Sequence, residues 1–154
     1  PTGAPAPGAG PAVGPAGGPA ADPAAEGYAR WCKARGDEAF RGHDPGGAVA
    51  WYTRAFEADP ALAVALANRA AAHLRLGRLT AAAADSAAAA ERLPRYGRNL
   101  ARAAVCHTRL GAYAAARAFC LQALDCSPGD RVLSAMLEDI RAHEERAGEV
   151  TRMG

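Results

Sequence analysis

From Glu26 onward the apolar residues recur three and four positions apart, the spacing of one face of a helix. Read this way, the chain divides into helices at about 26–42 and 46–58, 61–76 and 79–92, and 95–110 and 112–126, each couple forming an antiparallel pair. A seventh helix, at about 129–147, sets Val132, Leu133, Met136, Leu137 and Ile140 on one face ahead of the charged end Glu144-Glu145-Arg146. One apolar face suits a helix that covers the open edge of the pairs before it. Val, Ile and Thr are scattered and never run together, so a strand-rich fold has nothing to be built from. The first 25 residues break the pattern. Pro, Gly and Ala fill 22 of them, which predicts a disordered linker over 1–25, and a flexible tail is expected at 148–154.

The helix pairs repeat. Pro60, Pro94 and Pro128 stand 34 residues apart, as do Ala48, Ala82 and Ala116, and Ala55, Ala89 and Ala123. Gly77 and Gly111 keep the same spacing, and Gly36, Ala70 and Ala104 mark a further position held by small residues. Larger apolar residues fall into register too: Cys32, Leu66 and Leu100, then Phe40 with Leu74. The small residues let the two helices of a pair touch, the glycine opens the turn between them, and the proline ends the second helix. Two places depart from the pattern. The first turn, Gly42-His43-Asp44-Pro45-Gly46-Gly47, has its glycine one place early. The helix holding Ala81 to Ala90 carries no large apolar residue and is expected to pack closely while burying little.

The repeat resembles the tetratricopeptide-repeat (TPR) family over nearly all of residues 29–128. The units CKARGDEAFRGHDPGGAVAWYTRAFEADP, LANRAAAHLRLGRLTAAAADSAAAAERLP and LARAAVCHTRLGAYAAARAFCLQALDCSP carry the likeness. It implies an all-α fold spanning 26–147. This is a right-handed superhelical solenoid of three TPR helix pairs at about 29–62, 63–96 and 97–130, plus a C-terminal capping helix, with the first helix of each pair lining a concave groove.

Composition narrows the function. The 43 alanines dominate the apolar half of the chain while aromatics reach only 6%, and the residues after the linker suffice for one domain. A net charge of +2, with no basic stripe interleaved with aromatics, argues against nucleic acid. Arginine interrupts every apolar stretch before it is long enough to span a membrane, and no targeting signal opens the chain, which reads as a segment of a longer protein. Cys32, Cys106, Cys120 and Cys126 form neither C-x-x-C pairs nor a secreted framework, so a reduced, cytoplasmic setting is expected.

Catalytic chemistry is not apparent. His43, His73, His107 and His143 are spread along the chain, with His73 and His107 one period apart at a position that packs between helices. Cys32 and Cys120 fall on core positions, leaving Cys106 and Cys126 as the more exposed pair. There is no phosphate loop, paired-carboxylate motif or nucleophile elbow. The expectation is a non-enzyme with no cofactor and no metal.

The polar residues of the first helices are more informative. Lys33 and Asp37 lie one turn apart in the first repeat, Asn68 lies in the second, and Arg98 and Arg102 share a face in the third. Two guanidinium groups, an ammonium and an amide suit a peptide that ends in a carboxylate. Arg41, Arg75 and Arg109 recur at one period as a basic ladder. Phe40 and Leu74 either contact a ligand side chain or pack between repeats, and packing is favoured. The layout is similar to the carboxylate-clamp subset of the TPR family, co-chaperones that bind the Glu-Glu-Val-Asp tails of cytosolic heat-shock chaperones. The resemblance puts the family's clamp lysine on Lys33, its second-repeat asparagine on Asn68, and its Lys-x-x-x-Arg on Arg98 and Arg102. Lys33 is the only lysine in the chain.

Asp37 is the departure. The family generally has an asparagine there, whereas an ionised aspartate has no proton to donate, repels an acidic ligand and can neutralise Lys33. The reading that follows is a co-chaperone or adaptor module that binds an acidic peptide, foremost a heat-shock chaperone tail. Two alternatives stay open. One is a scaffold that works through other surfaces or self-association; the other is the regulatory arm of a multidomain enzyme such as a ubiquitin ligase or phosphatase.

Overall fold

The computed structural model describes residues 22–154, so the linker expected at 1–25 lies outside it as far as residue 21. Seven helices follow: α1 (Pro23–Arg41), α2 (Pro45–Ala58), α3 (Ala63–Arg75), α4 (Leu79–Arg92), α5 (Gly97–Arg109), α6 (Tyr113–Cys126) and α7 (Arg131–Met153). No strand occurs among the described residues. Each helix packs on the next, and α3 also touches both α1 and α5, which sets the first helices of the three pairs side by side.

The helix ends follow local chemistry. Asp22, Asp44 and Asp130 cap α1, α2 and α7, accepting from the backbone N–H of Ala24 (3.0 Å), Gly47 (2.9 Å), and Val132 and Leu133 (2.9 and 3.1 Å). Pro23 and Pro45 occupy the first turns of α1 and α2, where a missing N–H costs nothing. The Asp22-Pro23 pair is why α1 starts three residues before Glu26, inside the stretch expected to be linker. At the other end α7 runs to Met153, so the segment 148–154, expected as a flexible tail, is helical except for Gly154. A lone interior glycine such as Gly148 costs about 1 kcal/mol, too little to stop a helix with Glu149, Arg152 and Met153 beyond it.

The turns between paired helices carry a left-handed residue at His43 (φ 62°), Gly77 (φ 73°) and Gly111 (φ 76°), one period apart. The first turn therefore keeps the register of the others, with His43 in the glycine's place rather than a glycine one position early. Histidine is among the few side chains that tolerate this region.

The core is made of small residues. Ala48, Ala82 and Ala116, and Ala55, Ala89 and Ala123, are fully buried, as are Ala70, Ala104, Cys32 and Leu100. Cys106 is also fully buried, packed with Ala82 and Ala83, and burial pushes its thiol pKa up; of the pair expected to be exposed, only Cys126 is partly so. At the C-terminal edge Leu137 and Ile140 of α7 close over Ala104, Ala116 and Cys120, and Arg117 donates to Glu144 at 2.7 Å.

The alanine helix α4 holds its place by polar contacts. Arg69 of α3 grips Asp85 through Nε (2.7 Å) and Nη2 (2.8 Å) and reaches Thr53 of α2 through Nη1 (3.1 Å). Asn99 of α5 donates to the Ser86 carbonyl at 2.9 Å. His73 sits 3.6 Å from Asp85, and burial pushes its pKa down against the opposing pull of that carboxylate.

Two outcomes follow. Asp85→Ala leaves a largely enclosed Arg69 without its partner and should cost about 2–3 kcal/mol in urea unfolding. In the wild type, His73 takes its proton more readily unfolded than folded. Stability should therefore fall as pH drops from the ordinary histidine value of about 6.5 toward the depressed one.

Candidate functional site

The face that α1, α3 and α5 turn to the groove is set by helical spacing. Asp37 and Arg41 are one turn apart on α1, with Phe40 beside them, and Arg98 and Arg102 are one turn apart on α5. A pocket of about 310 Å³ opens here. Six of the ten residues expected from sequence line it: Asp37, Phe40, Arg41, Asn68, Arg98 and Arg102. Lys33 joins them through its contact with Asp37.

The remaining three sit elsewhere. Leu74 packs against Ala82, Ala83 and Cys106, so it serves the core. Arg75 lies over the Phe40 ring, 4.7 Å from its centroid, at the edge of the pocket rather than in its lining. Arg109 lines a separate depression of about 200 Å³ between α5 and α7 with Val105, Asp139 and His143. The recurring arginines thus do not form one continuous ladder along the pocket.

Tyr52 and Tyr96 also line the pocket and were not anticipated. Tyr52 belongs to α2, the second helix of its pair, and reaches the groove across Gly36. A Cβ at Gly36 would lie 2.6 Å from the tyrosine ring. The small residue at that repeat position was the available signal, since it marks where something from the neighbouring helix must pass.

Asp37 is the hub. Its Oδ2 accepts from Lys33 Nζ at 2.8 Å, and its Oδ1 accepts from Tyr52 Oη at 2.6 Å and from Asn68 Nδ2 at 3.1 Å. Three helices therefore place a donor on one carboxylate. Tyr52 is almost fully buried, and burial, then its bond to Asp37, raises its phenol pKa and keeps it a neutral donor. On the far wall, Arg102 is lowered from its usual pKa chiefly by burial and donates through Nη1 to the Ala67 carbonyl at 2.7 Å. It stays charged, as guanidinium does in proteins. Arg41 and Arg98 are exposed, and their side chains make no hydrogen bond or ion pair among the described residues. The pocket thus has two unengaged cations, one tethered cation and a carboxylate neutralised from within. No group of three or more His, Cys, Asp or Glu among the described residues could hold a metal ion. None of the described helices is long and apolar enough to cross a membrane.

No protein-family model matches the chain, and no curated protein matches its sequence. Solved structures do. The second TPR of Spaghetti (RPAP3) bound to HSP90 peptide SRMEEVD is 30% identical, with a TM-score of 0.62 over 64% of this chain and 92% of that one. The second TPR domain of human RPAP3 in complex with HSP70 peptide SGPTIEEVD is 29% identical, with a TM-score of 0.71 over 76% and 98%. The TPR2B domain of yeast Sti1 in complex with pHsp70 is 26% identical, with a TM-score of 0.67 over 75% and 97%.

The fit of Tyr52 over Gly36 can be tested by paired substitutions in one helix. Gly27→Ala, with open space around it, should stabilise the chain by up to about 1 kcal/mol through helix propensity. Gly36→Ala brings the same gain but drives the new methyl into the Tyr52 ring, an overpacking cost of about 1–3 kcal/mol. Urea unfolding should rank Gly27→Ala above wild type and Gly36→Ala below it.

Proposed function

We propose that this chain, which belongs to the tetratricopeptide-repeat family, is a non-catalytic binding module whose groove holds an acidic peptide, foremost the C-terminal tail of a heat-shock chaperone, in the manner of a co-chaperone or adaptor. The observation that carries this reading is the charge balance of the groove. Arg41, Arg98 and Arg102 face a pocket whose only carboxylate, Asp37, is paired with Lys33, so the lining keeps a positive excess. The partly buried rings of Phe40 and Tyr96 line the pocket beside those cations and add apolar surface. Guanidinium groups suit this task because their planar forks match carboxylates. The HSP70 and HSP90 peptides bound by the similar domains support the same ligand class.

A fluorescent peptide ending in Glu-Glu-Val-Asp should bind, and its Gln-Gln-Val-Asn analogue should bind far more weakly. Arg98→Ala should weaken binding of the acidic peptide about five- to tenfold, the loss of roughly 1–1.4 kcal/mol, and raised salt should weaken it further. Equal binding of the acidic and amide peptides, or no effect of Arg98→Ala, would overturn the reading.

A further inference from the structure

Lys33 and Asn68 are the groove donors that the clamp resemblance assigns to a ligand's terminal carboxylate, and each already gives an N–H to Asp37. The geometry points to Asp37 as a built-in occupant of that subsite: its carboxylate sits where a chain-end carboxylate would, so the groove reads acidic side chains through Arg41 and Arg98 and is indifferent to a free chain end. This rests on the reading of the groove as an acidic-peptide site and narrows it to acidic segments, internal ones included.

The fit of Asp37 to its donors is that of a bound anion. Lys33 reaches one oxygen at 2.8 Å, and Tyr52 and Asn68 reach the other at 2.6 and 3.1 Å. The donors come from α1, α2 and α3, so the carboxylate is held from three directions rather than by one neighbour on its own helix. About a third of its side-chain surface is open to solvent, as is that of Lys33, so the ion pair lies at the groove surface where a ligand would meet it. An incoming carboxylate meets a negative charge and finds each donor already giving one N–H to Asp37. Arg102 is held against the Ala67 carbonyl on the far wall. Arg41 and Arg98 remain, on opposite walls and without partners among the described residues, placed for side chains along a peptide rather than for its last atom.

The test compares one acidic peptide ending in Glu-Glu-Val-Asp, with a free or an amidated C-terminus, on the wild type and on Asp37→Asn. The wild type should bind both forms within about twofold. Asp37→Asn supplies an amide donor and releases Lys33. The free form should then tighten about tenfold, equivalent to about 1.4 kcal/mol, while the amidated form changes little. A wild type that already loses tenfold on amidation, or an Asp37→Asn chain that leaves the free-form affinity unchanged, overturns the inference. Failure of both chains to prefer the acidic peptide over its Gln-Gln-Val-Asn analogue instead overturns the underlying reading of the groove.

A second readout does not depend on affinity. Lys33 is the only lysine, so reductive methylation with a carbon-13 label marks it alone among side chains. Saturating free-ended peptide should move its NMR signal in Asp37→Asn and leave it nearly still in the wild type. A large shift in the wild type would show that Asp37 yields its place to the ligand, and the inference would fail.

Discussion

The close approach of helix backbones is the constraint on which everything else depends. At each crossing the chain places alanine, cysteine or glycine, and the positions that touch are fully buried: Ala48 with its equivalents Ala82 and Ala116, and Ala55 with Ala89 and Ala123. Small side chains bury little area each, so stability has to come from many atoms at close range and from the directional contacts that fix which helix meets which. The Arg69–Asp85 grip and the Asn99–Ser86 bond supply that direction where α4 has no large apolar residue to key it in place. Asp22, Asp44 and Asp130 cap the two helices of the first pair and the final helix, while α3 to α6 have no side-chain cap and lean on their neighbours.

The same close approach shapes the groove. Because Gly36 has no side chain, a tyrosine from α2 can pass α1 and present its hydroxyl in the groove. The carboxylate it meets also takes an amide from the second repeat, so the chemistry of the groove and the joint between the first two repeats share one atom cluster. Asp37 therefore sets the charge of the groove and ties the first two repeats together at once.

Much of this could be read from the chain because identical spacing means identical environment. Cys32, Leu66 and Leu100 share a register, and all three are buried. The first-helix polar residues were also accessible, since Lys33 and Asp37, or Arg98 and Arg102, are one turn apart whatever surrounds them. What escaped depends on contacts between distant positions or on a substituted residue type. Nothing in the local pattern says that Asp37 meets Tyr52 and Asn68 across helices. His43 takes the left-handed conformation that glycine has at the equivalent turns, so a scan for glycine displaces that turn by one residue. The start of α1 was hidden by its one proline, because Pro23 is a helix breaker in the interior and a helix starter in the first turn. Arg75 and Arg109 kept their period and still diverged, one onto the Phe40 ring and one toward α7, because neighbours and not spacing decide where a long side chain lies down.

Both tryptophans belong to the first helix pair. Trp31 is half-exposed and stacks on Tyr28, with ring centroids 6.0 Å apart; it meets Trp51 edge-on at 5.4 Å, and the Arg35 guanidinium lies near both indoles. In a linear array whose units touch only their neighbours, the two ends can open at different moments. Indole emission from this chain is consequently a local gauge: it follows the amino-terminal hairpin and is blind to melting at α6 and α7. Circular dichroism weighs all seven helices together, so a mismatch between the two optical signals would mark stepwise fraying and not an artefact of either probe.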